Sequence, residues 1–263
     1  SHCAGIAAGH DVHELDDLDG AAPGAFVISC KLGDNRLAGG ATRTSSMKKA
    51  YEHAVAFGER WGLPVVVNMS FGIASVEEGD DTMGRWLDDL LAENPGFHVC
   101  TSAGNEGPGL STIGLPATSE SVISVGAYLS PSTAADLYDA RLPRETMFAF
   151  SSRGGEAPKP DVVAPGSALS TLPGFADGSG RYNGTSMASP QAAGAVALLL
   201  SAAEQEGLDV HWGLVKRALI AGARRIDGLE LNTQGGGLVN VPASWPILRE
   251  LAASESAHDV LWY

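Results

Sequence analysis

The sequence predicts an α/β fold in which a doubly wound, mostly parallel sheet carries helices on both faces. Short apolar runs alternate along the chain with amphipathic helical patterns, which is the order expected of such a sheet. The 33 glycines and 14 prolines fall between these runs and are too many for a helical bundle. With 263 residues, 44% of them hydrophobic, the chain can bury one substantial core.

Four apolar runs are predicted to be strands, because a strand that is buried on both faces has a nearly continuous apolar sequence. They are Ala25–Lys31, Pro64–Met69, Phe97–Thr101 and Val122–Tyr128. Two further segments, Phe148–Ser152 and Asp161–Ala164, are predicted to be short extended pieces.

The predicted helices lie between and after these strands, and each repeats its apolar residues every three to four positions. They are Thr44–Trp61, Met83–Leu91, a helix from Thr185 to about Leu200, and roughly His211–Ala223. Thr185 and Ser186 are favourable first residues, and Pro190 falls within the first turns. The Gly- and Asp-rich segment Pro173–Gly184 is predicted to be a loop.

Charge and cysteine content exclude several classes of protein. Seventeen basic against 31 acidic side chains give a net charge of -14, which repels nucleic acid and anionic membrane surfaces. The sequence has no uninterrupted apolar run of the roughly 18 residues that a membrane span needs, so the segment Ala192–Ala203 is predicted to be a core helix of a soluble protein. Cys3, Cys30 and Cys100 have no metal-type spacing and predict no disulfide framework, which favours the cytoplasm over secretion. The oligomeric state is not predicted.

Ser186 is the candidate nucleophile. It lies in the segment Asn183–Pro190, at a predicted helix start and among residues too small to hinder approach. Unpaired N–H groups at a helix N-terminus can stabilise a negative oxygen that develops beside the attacking hydroxyl. An ordinary capping serine is the alternative interpretation, and the segment alone does not decide between them.

Asn105 is the candidate oxyanion donor. It follows a predicted strand in Thr101–Gly107, and open α/β sheets build their sites at the carboxyl ends of strands. Its amide can donate a hydrogen bond to an oxyanion. Asn is also routine in glycine-rich turns, so a purely local role stays open at this point.

Four blocks in the same order resemble the subtilisin family of serine peptidases. Asn183–Pro190 resembles its nucleophile motif GTSMASP, Ser102–Asn105 its oxyanion segment, Ser111–Pro116 its pocket floor, and Asp161–Gly166 its DVxAPG block. The resemblance extends from Ser1 to about Trp245. It implies a three-layer subtilisin-like peptidase domain over residues 1–250, lacking its N-terminal part, with a tail over residues 251–263.

The resemblance implies acyl transfer to water through a serine acyl-enzyme. Ser186 would attack a peptide carbonyl while Asn105 and the Ser186 N–H hold the tetrahedral oxygen. Peptide or protein substrates would be bound in extended form along two segments and over a pocket floor. The implied substrate-binding residues are Ser70, Phe71, Gly72, Ser102, Ala103, Gly104 and Gly114. Gly114 leaves room for large apolar side chains before the scissile bond.

The general base is not found in this pattern. The family motif is His-Gly-Thr-His-Val-Ala-Gly, and Ser1-His2-Cys3-Ala4-Gly5 matches only its later part, so the catalytic histidine is expected two residues before Ser1 and the aspartate earlier. His2 then corresponds to the second histidine, which packs on the helix. A serine hydroxyl without an imidazole is a weak nucleophile, so residues 1–263 alone are expected to be nearly inactive.

The resemblance is strongest to the tripeptidyl peptidase II-like branch, through Ala7–His10, Lys31–Asp34 and Gly109–Thr112. That branch holds a substrate's free amine with acidic side chains, whereas the matching positions here are Ala41 and Ile73. Strict tripeptide release is therefore not predicted. Glu77, Glu78, Asp80 and Asp81 could substitute, although a solvated acidic loop is the simpler interpretation.

Two other functional classes stay open. A peptide-binding pseudopeptidase would keep the cleft and lack the base, and an α/β-hydrolase-type esterase would complete a triad with His211 or His258. The esterase needs a strand directly before Ser186, where the sequence is polar and Gly-rich.

No cofactor and no metal ligand set is predicted. The segment from His10 to Asp19 is rich in His, Asp and Glu but lacks the spacing of a calcium loop. A structural calcium ion remains an option without assignable ligands.

Overall fold

The computed structural model describes residues 1–10, 19–34, 36, 42–73, 82–175 and 180–254. The described helices are α1 (His2–Ala8), α2 (Thr44–Trp61), α3 (Thr82–Glu93), α4 (Pro131–Tyr138), α5 (Thr185–Glu206), α6 (Trp212–Gly222), α7 (Leu231–Gln234) and α8 (Val241–Ser254). The strands are β1 (Val65–Met69), β2 (Phe97–Ser102), β3 (Ile123–Leu129), β4 (Thr146–Met147), β5 (Val162–Pro165), β6 (Ser167–Leu169) and β7 (Arg181–Asn183).

The central sheet is mostly parallel, which confirms the predicted fold class. Strands β1, β2, β3 and β5 pair in parallel in that order, and β4 pairs antiparallel with the end of β3. Strands β6 and β7 form a separate antiparallel ribbon that leads into α5. Because β1 and β2 run in the same direction, the residues that follow them, including Ser70, lie at one edge of the sheet.

Helices cover both faces of the sheet. Met47, Tyr51 and Ala54 of α2 pack with Leu87 and Leu91 of α3 against one face. On the other face the apolar helix α5 packs with α6 and α8, and together they bury β3 and β5. Every residue of β2 and β3 is buried, as expected of strands between two helical layers.

The predicted strand Ala25–Lys31 is not formed, and this prediction was wrong. The segment has no strand hydrogen bonds, and Phe26 is 91% exposed. An isolated extended segment is not stable without a neighbouring strand to pair with its backbone, and the described part of the chain places none beside it. Cys30 lies in this segment and is exposed, whereas Cys100 is buried as a small apolar side chain; all three thiols are free.

Other boundaries also differ from the prediction. Phe148–Ser152 is a turn closed by a hydrogen bond from Ser151 N to Phe148 O, and the strand precedes it at Thr146–Met147. The predicted loop Pro173–Gly184 ends in β7, while residues 176–179 lie outside the described residues. Helix α5 continues to Glu206 rather than ending near Leu200, because Ala203 still packs in the core and Gly207 ends the helix in the left-handed conformation.

One described helix, α5, has the length and apolar composition that would allow a membrane crossing. Two thirds of its apolar stretch is buried inside the protein. This agrees with the prediction that the segment Ala192–Ala203 is a core helix.

A buried group of charges joins β3, β5 and α6. The carboxylate of Asp161 accepts from Lys159 Nζ at 2.8 Å and from Ser124 N at 2.7 Å, and it lies 3.0 Å from Lys216 Nζ. Burial alone would raise the pKa of Asp161, but the two lysine charges outweigh it and hold the pKa below its usual range. Burial lowers the pKa of Lys159.

We expect Asp161→Asn to lower the free energy of unfolding by about 3–5 kcal/mol, because it leaves two buried ammonium groups without their counter-charge. Urea unfolding of both proteins at neutral pH measures the difference. The matched control is Glu206→Gln, which breaks the exposed ion pair with Arg249 and should cost less than about 1 kcal/mol.

The same comparison has a pH dependence. The pKa of Asp161 is lower in the folded protein than in the unfolded chain. The ionised carboxylate therefore contributes fully to the free energy of unfolding above the unfolded-state pKa of about 3.9, and this contribution is lost as the pH falls through the folded-state pKa. The gap in stability between wild type and Asp161→Asn should therefore narrow below about pH 4. A gap that stays constant down to strong acid contradicts this assignment.

Candidate active site

The carboxyl ends of β1 and β2 meet the amino end of α5. Ser70 follows β1, Gly104 and Asn105 follow β2, and Ser186 is the second residue of α5. Three segments that are far apart in sequence are thus brought together around the predicted nucleophile.

Ser186 presents its hydroxyl and its backbone N–H at the start of α5. Its Oγ lies 3.4 Å from Ser70 O, which is too long for a strong hydrogen bond. The neighbouring N–H groups are paired: Met187 N donates to Gly184 O, and Thr185 N donates to Asn105 Oδ1. Ser186 N has no acceptor among the described residues. The N–H of Ser186 is therefore available to a ligand at the positive end of the helix.

Pro190 determines what holds the backbone of Ser186. A regular helix would have residue 190 donate its N–H to the carbonyl of Ser186, four residues earlier, and proline has no N–H. That carbonyl instead accepts from Ser70 Oγ at 2.9 Å and, more weakly, from Cys3 Sγ at 3.4 Å. Pro190 lies beyond the first turn, and the lost helical bond is replaced by donors from Ser70, just after β1, and from Cys3 in α1.

Asn68 extends the hydrogen-bond network around Ser186. Its Nδ2 donates to Ser70 Oγ at 2.9 Å, and its Oδ1 accepts from Ser189 Oγ at 2.7 Å. Ser189 is fully buried on α5 and Ser70 is half-buried. The end of β1 is thus bonded to the first turn of α5 at two points.

Asn105 is oriented by Thr185. A backbone N–H can only donate, so the bond of 3.0 Å from Thr185 N identifies the acceptor as Asn105 Oδ1, which also accepts from Thr185 Oγ1 at 3.0 Å. The Nδ2 of Asn105 consequently points away from Thr185 and has no acceptor among the described residues. The exposed amide is left to donate beside the start of α5.

Glu106 and Ser152 hold the turn that carries Asn105. Glu106 Oε2 accepts from Asn105 N at 2.7 Å and from Ser152 Oγ at 3.1 Å, and Ser152 N donates to Gly104 O at 3.1 Å. Gly104 adopts φ +118, which strongly favours glycine, and an added Cβ would lie 2.5 Å from Glu106 Oε2. The turn therefore has little freedom.

The predicted substrate-binding residues divide into two groups. Ser70, Phe71 and Gly72 leave β1 at the surface, and Gly72 is exposed. Ser102 belongs to the β2–β3 ladder, and Ala103 is fully buried with its N–H bonded to Val125 O and its carbonyl to Gly114 N. The backbone N–H and carbonyl of Ala103 are therefore both paired and cannot bond to a substrate strand. Ala103 instead forms part of the wall of the site.

Gly114 lies next to this wall, but its lack of a side chain has a second reason. Ile73 and Leu115 exchange two backbone hydrogen bonds, of 3.0 and 2.7 Å, that pull the Ile73 backbone over Gly114. An added Cβ at Gly114 would lie 3.0 Å from Ile73 O. Glycine is thus favoured at position 114 by a close backbone approach, whatever its part in substrate selection.

None of the described histidines is a partner of Ser186. His2 is buried with its Nε2 2.7 Å from Gly180 O, as the packing role predicts. His211 caps α6, where its Nδ1 accepts from Gly213 N at 3.1 Å, and it lies near His98 on β2. Burial, with a smaller contribution from His211, lowers the pKa of His98 to about 3, so this imidazole is neutral.

The structure also bears on the esterase, metal-site and amine-binding hypotheses. Strand β7 does precede Ser186, but it belongs to the β6–β7 ribbon and not to the central sheet, which is unlike the α/β-hydrolase arrangement. The described residues contain no group of three His, Cys, Asp or Glu side chains that could hold a metal ion. The acidic residues considered for binding a substrate amine, at positions 77, 78, 80 and 81, lie outside the described residues. The same is true of Ala41, which matches one of the family's amine-binding positions, and of His258, the alternative esterase residue. Ile73, which matches the other amine-binding position, is exposed.

Sequence reasoning predicts Ser186 and Asn105 as site residues but does not predict the residues that orient them. Thr185 was treated only as a helix start, and Asn68, Ser189 and Glu106 were not singled out. One signal was present in the sequence: a proline four residues after Ser186 implies a carbonyl that must find another donor.

The chain is similar to known serine peptidases. The profile of the subtilase family, Peptidase_S8, matches residues 1–237. Tripeptidyl-peptidase 2 of Arabidopsis thaliana is 38% identical over 268 residues, covering 95% of this chain and 18% of that protein. Serine protease AprX of Bacillus subtilis is 31% identical, covering 94% of this chain and 57% of that protein.

A solved structure of tripeptidyl peptidase 2 superposes with a TM-score of 0.76 at 31% identity, covering 97% of this chain and 19% of that one. The chain thus spans only about a fifth of the length of the tripeptidyl-peptidase 2 that it matches.

The freed carbonyl of Ser186 gives a direct test. Ser70→Ala should lower the free energy of unfolding by about 1–3 kcal/mol, because it removes the main donor to a part-buried carbonyl. Pro190→Ala restores an N–H that can donate to the same oxygen, so Ser70→Ala should cost at least about 0.5 kcal/mol less in that background. Urea unfolding of the four proteins of this cycle measures the coupling, and Ser254→Ala, which loses an exposed local bond, is the control. Additive single effects would contradict the assignment.

Proposed function

Because the chain belongs to the subtilase family, we propose that it carries the nucleophile and oxyanion site of a serine peptidase that hydrolyses peptide bonds through a serine acyl-enzyme. In this proposal Ser186 attacks the carbonyl, and the Asn105 amide and the Ser186 N–H receive the negative oxygen of the tetrahedral intermediate. The single observation that carries it is the pair of bonds from Thr185 to Asn105 Oδ1, which leaves the Nδ2 of Asn105 free to donate beside the start of α5.

The rigidity of this arrangement supports the proposal. Oxyanion donors contribute most when they are oriented before the reaction, since they need not reorganise as charge develops. Thr185 fixes the amide of Asn105, while Ser70 and Asn68 fix the backbone of Ser186. No metal or cofactor is part of the proposed mechanism.

Substrate binding is proposed along the surface segment Ser70–Gly72. An extended peptide can pair with exposed backbone groups there, and the wall formed by Ala103 and Gly114 lies beside it. We propose a preference for large apolar side chains before the scissile bond. Tripeptidyl release, the activity in the names of two of the relatives above, is not part of this proposal, because Ile73 cannot pair with a substrate amine.

The proposal requires an imidazole that the described residues do not provide at Ser186. The family pattern leads us to propose that it is the first histidine of the motif whose later part is Ser1–Gly5. The second candidate function, a peptide-binding pseudopeptidase, is favoured by the lack of contact between Ser186 and the described histidines. The two functions differ in whether Ser186 can be acylated once a base is present.

A chemical test uses the chain of residues 1–263 with imidazole added in solution and a peptide p-nitrophenyl ester as substrate. We expect a slow burst of p-nitrophenol that grows with imidazole, and an acyl group on Ser186 by mass spectrometry. Asn105→Ala should slow acylation by about 10²–10³-fold, as expected for loss of one oxyanion donor. Ser186→Ala controls for hydrolysis by imidazole itself, and a burst that survives in it, or no acylation of wild type, supports the pseudopeptidase.

The proposed substrate preference is tested with esters that differ only in the residue before the reacting carbonyl. Phe or Leu should give faster acylation than Asp by at least about tenfold, since burying an apolar side chain in the site is worth about 1.5–3 kcal/mol and burying a carboxylate is unfavourable. Equal rates for the three esters would mean that the wall at Ala103 and Gly114 does not select the side chain.

A further inference from the structure

His98 is a titratable side chain in the interior that the proposed mechanism does not use. It lies on β2 and is only 1% exposed. Its neighbours on the strand, Phe97 and Val99, pack with α2 and α3, whereas Cys100 packs with α5 and α6. Because successive side chains of a strand point to opposite faces of the sheet, His98 points with Cys100 into the layer formed by α5 and α6.

The imidazole of His98 makes no hydrogen bond in this interior. Neither of its ring nitrogens has a partner among the described residues. Burying a polar group without a hydrogen bond is unfavourable, and burying an unpaired charge is far more so. The folded protein therefore accommodates the neutral imidazole but opposes its protonation, and burial is the main reason that the pKa of His98 is lowered to about 3.

The surroundings of His98 do not supply a negative charge to balance an imidazolium. The buried and half-buried titratable side chains that β2, α6 and the segment before β5 add on this face are Cys100, Lys159, Asp161, His211 and Lys216. Val66 of β1, opposite His98, and the buried residues of α5 and α8 are not titratable. Asp161 is already balanced by two lysines. His211 acts electrostatically on His98 and lowers its pKa further.

The start of α6 is attached to the sheet in the same region. His211 directly precedes α6, and its Nδ1 accepts from Gly213 N at 3.1 Å. Trp212 N donates to Pro95 O at 3.0 Å, two residues before β2 begins. The apolar face of α6 then packs in one core with α5 and α8. A positive charge on His98 would therefore form near a second imidazole, in the interior that α6 covers.

We propose that His98 makes the packing of α6 on the sheet sensitive to acid. At neutral pH the uncharged imidazole stays buried and α6 stays in place. In weak acid the proton is bound by conformations in which His98 reaches water, so acid favours conformations in which α6 has left β2. Helix α5, which carries Ser186 at its start, packs against α6 and loses part of its support in these conformations. This response does not require any activity of Ser186.

The pH range of the response follows from two pKa values. An exposed imidazole has a pKa of about 6.5, whereas the pKa of His98 in the folded protein is about 3. The closed conformation, with α6 in place, is therefore fully favoured above about pH 6.5, and this advantage is lost progressively as the pH falls toward the folded-state pKa. Between pH 7 and pH 5 the equilibrium constant for opening should rise about 25-fold.

Cys100 can report the opening, because it is fully buried on the same face as His98. Cys3→Ser and Cys30→Ser leave it as the only thiol in the chain of residues 1–263. Its rate of reaction with a pyridyl disulfide, divided by the rate for the same chain in urea at the same pH, measures the opening constant. We expect the rise of about 25-fold between pH 7 and pH 5, and less than about threefold when His98→Leu is added. Equal rises with and without His98→Leu overturn the proposal.

Two further variants keep this test decisive. His53→Gln removes an exposed histidine of α2 and should leave the rise unchanged, since an exposed imidazole titrates alike in the closed and open conformations. A rise that is lost in this control as well contradicts the assignment to His98. If His98→Leu does not fold, His98→Gln takes its place, because glutamine also binds no proton in this pH range.

Hydrogen–deuterium exchange of the unaltered protein distinguishes release of α6 from unfolding of the whole chain. After correction for the pH dependence of exchange itself, peptides from α6 (Trp212–Gly222) should lose protection by at least about tenfold between pH 7 and pH 5. Peptides from α2 (Thr44–Trp61), on the opposite face of the sheet, should change by less than about threefold. Equal loss of protection in the two helices would mean that acid unfolds the chain as one unit, and the proposal would be wrong.

Discussion

The carbonyl oxygen of Ser186 is the point on which the candidate site depends. Pro190 leaves it without its helical donor, and the chain supplies Ser70 from β1 and Cys3 from α1 in its place. The backbone of Ser186 is consequently fixed by two segments outside its own helix. Because a buried carbonyl without a donor is costly, the position of α5 relative to β1 is set by the same bond that sets the position of Ser186.

A second constraint acts on Thr185, the residue before Ser186. Thr185 is fully buried and gives both its N–H and its hydroxyl to Asn105, which ties the start of α5 to the turn after β2. Residues that resemble a simple helix start in the sequence thus bond to two neighbouring strand ends. The candidate site lies where the ends of two strands meet the start of a helix. The hydrogen bonds between these segments fix the positions of its polar groups.

The sequence predicts those elements of the fold whose own residues show a clear pattern of burial. Helix α2 was predicted with its observed bounds because Met47, Tyr51 and Ala54 show a clear helical period, and β2 and β3 were predicted because their runs are mostly apolar. Ala25–Lys31 has the same apolar character and is not a strand, since a strand also needs a partner and local sequence does not report one. The site was predicted as a set of residues for a different reason, namely that its motifs resemble those of a known family.

Residues that orient others were harder to predict, because a polar side chain in a loop has many local partners and only the folded chain selects one. Asn68 and Ser189 are 121 positions apart, and nothing in either neighbourhood indicates the other. The hydrogen bonds of Asn105 determine what spontaneous chemical damage to its side chain would do. Its oxygen, not its nitrogen, bears the structural bonds. Spontaneous deamidation would leave an oxygen acceptor for Thr185 while replacing a hydrogen-bond donor by a negative charge. A molecule damaged in this way would keep its architecture and lose the donor that we propose for the oxyanion.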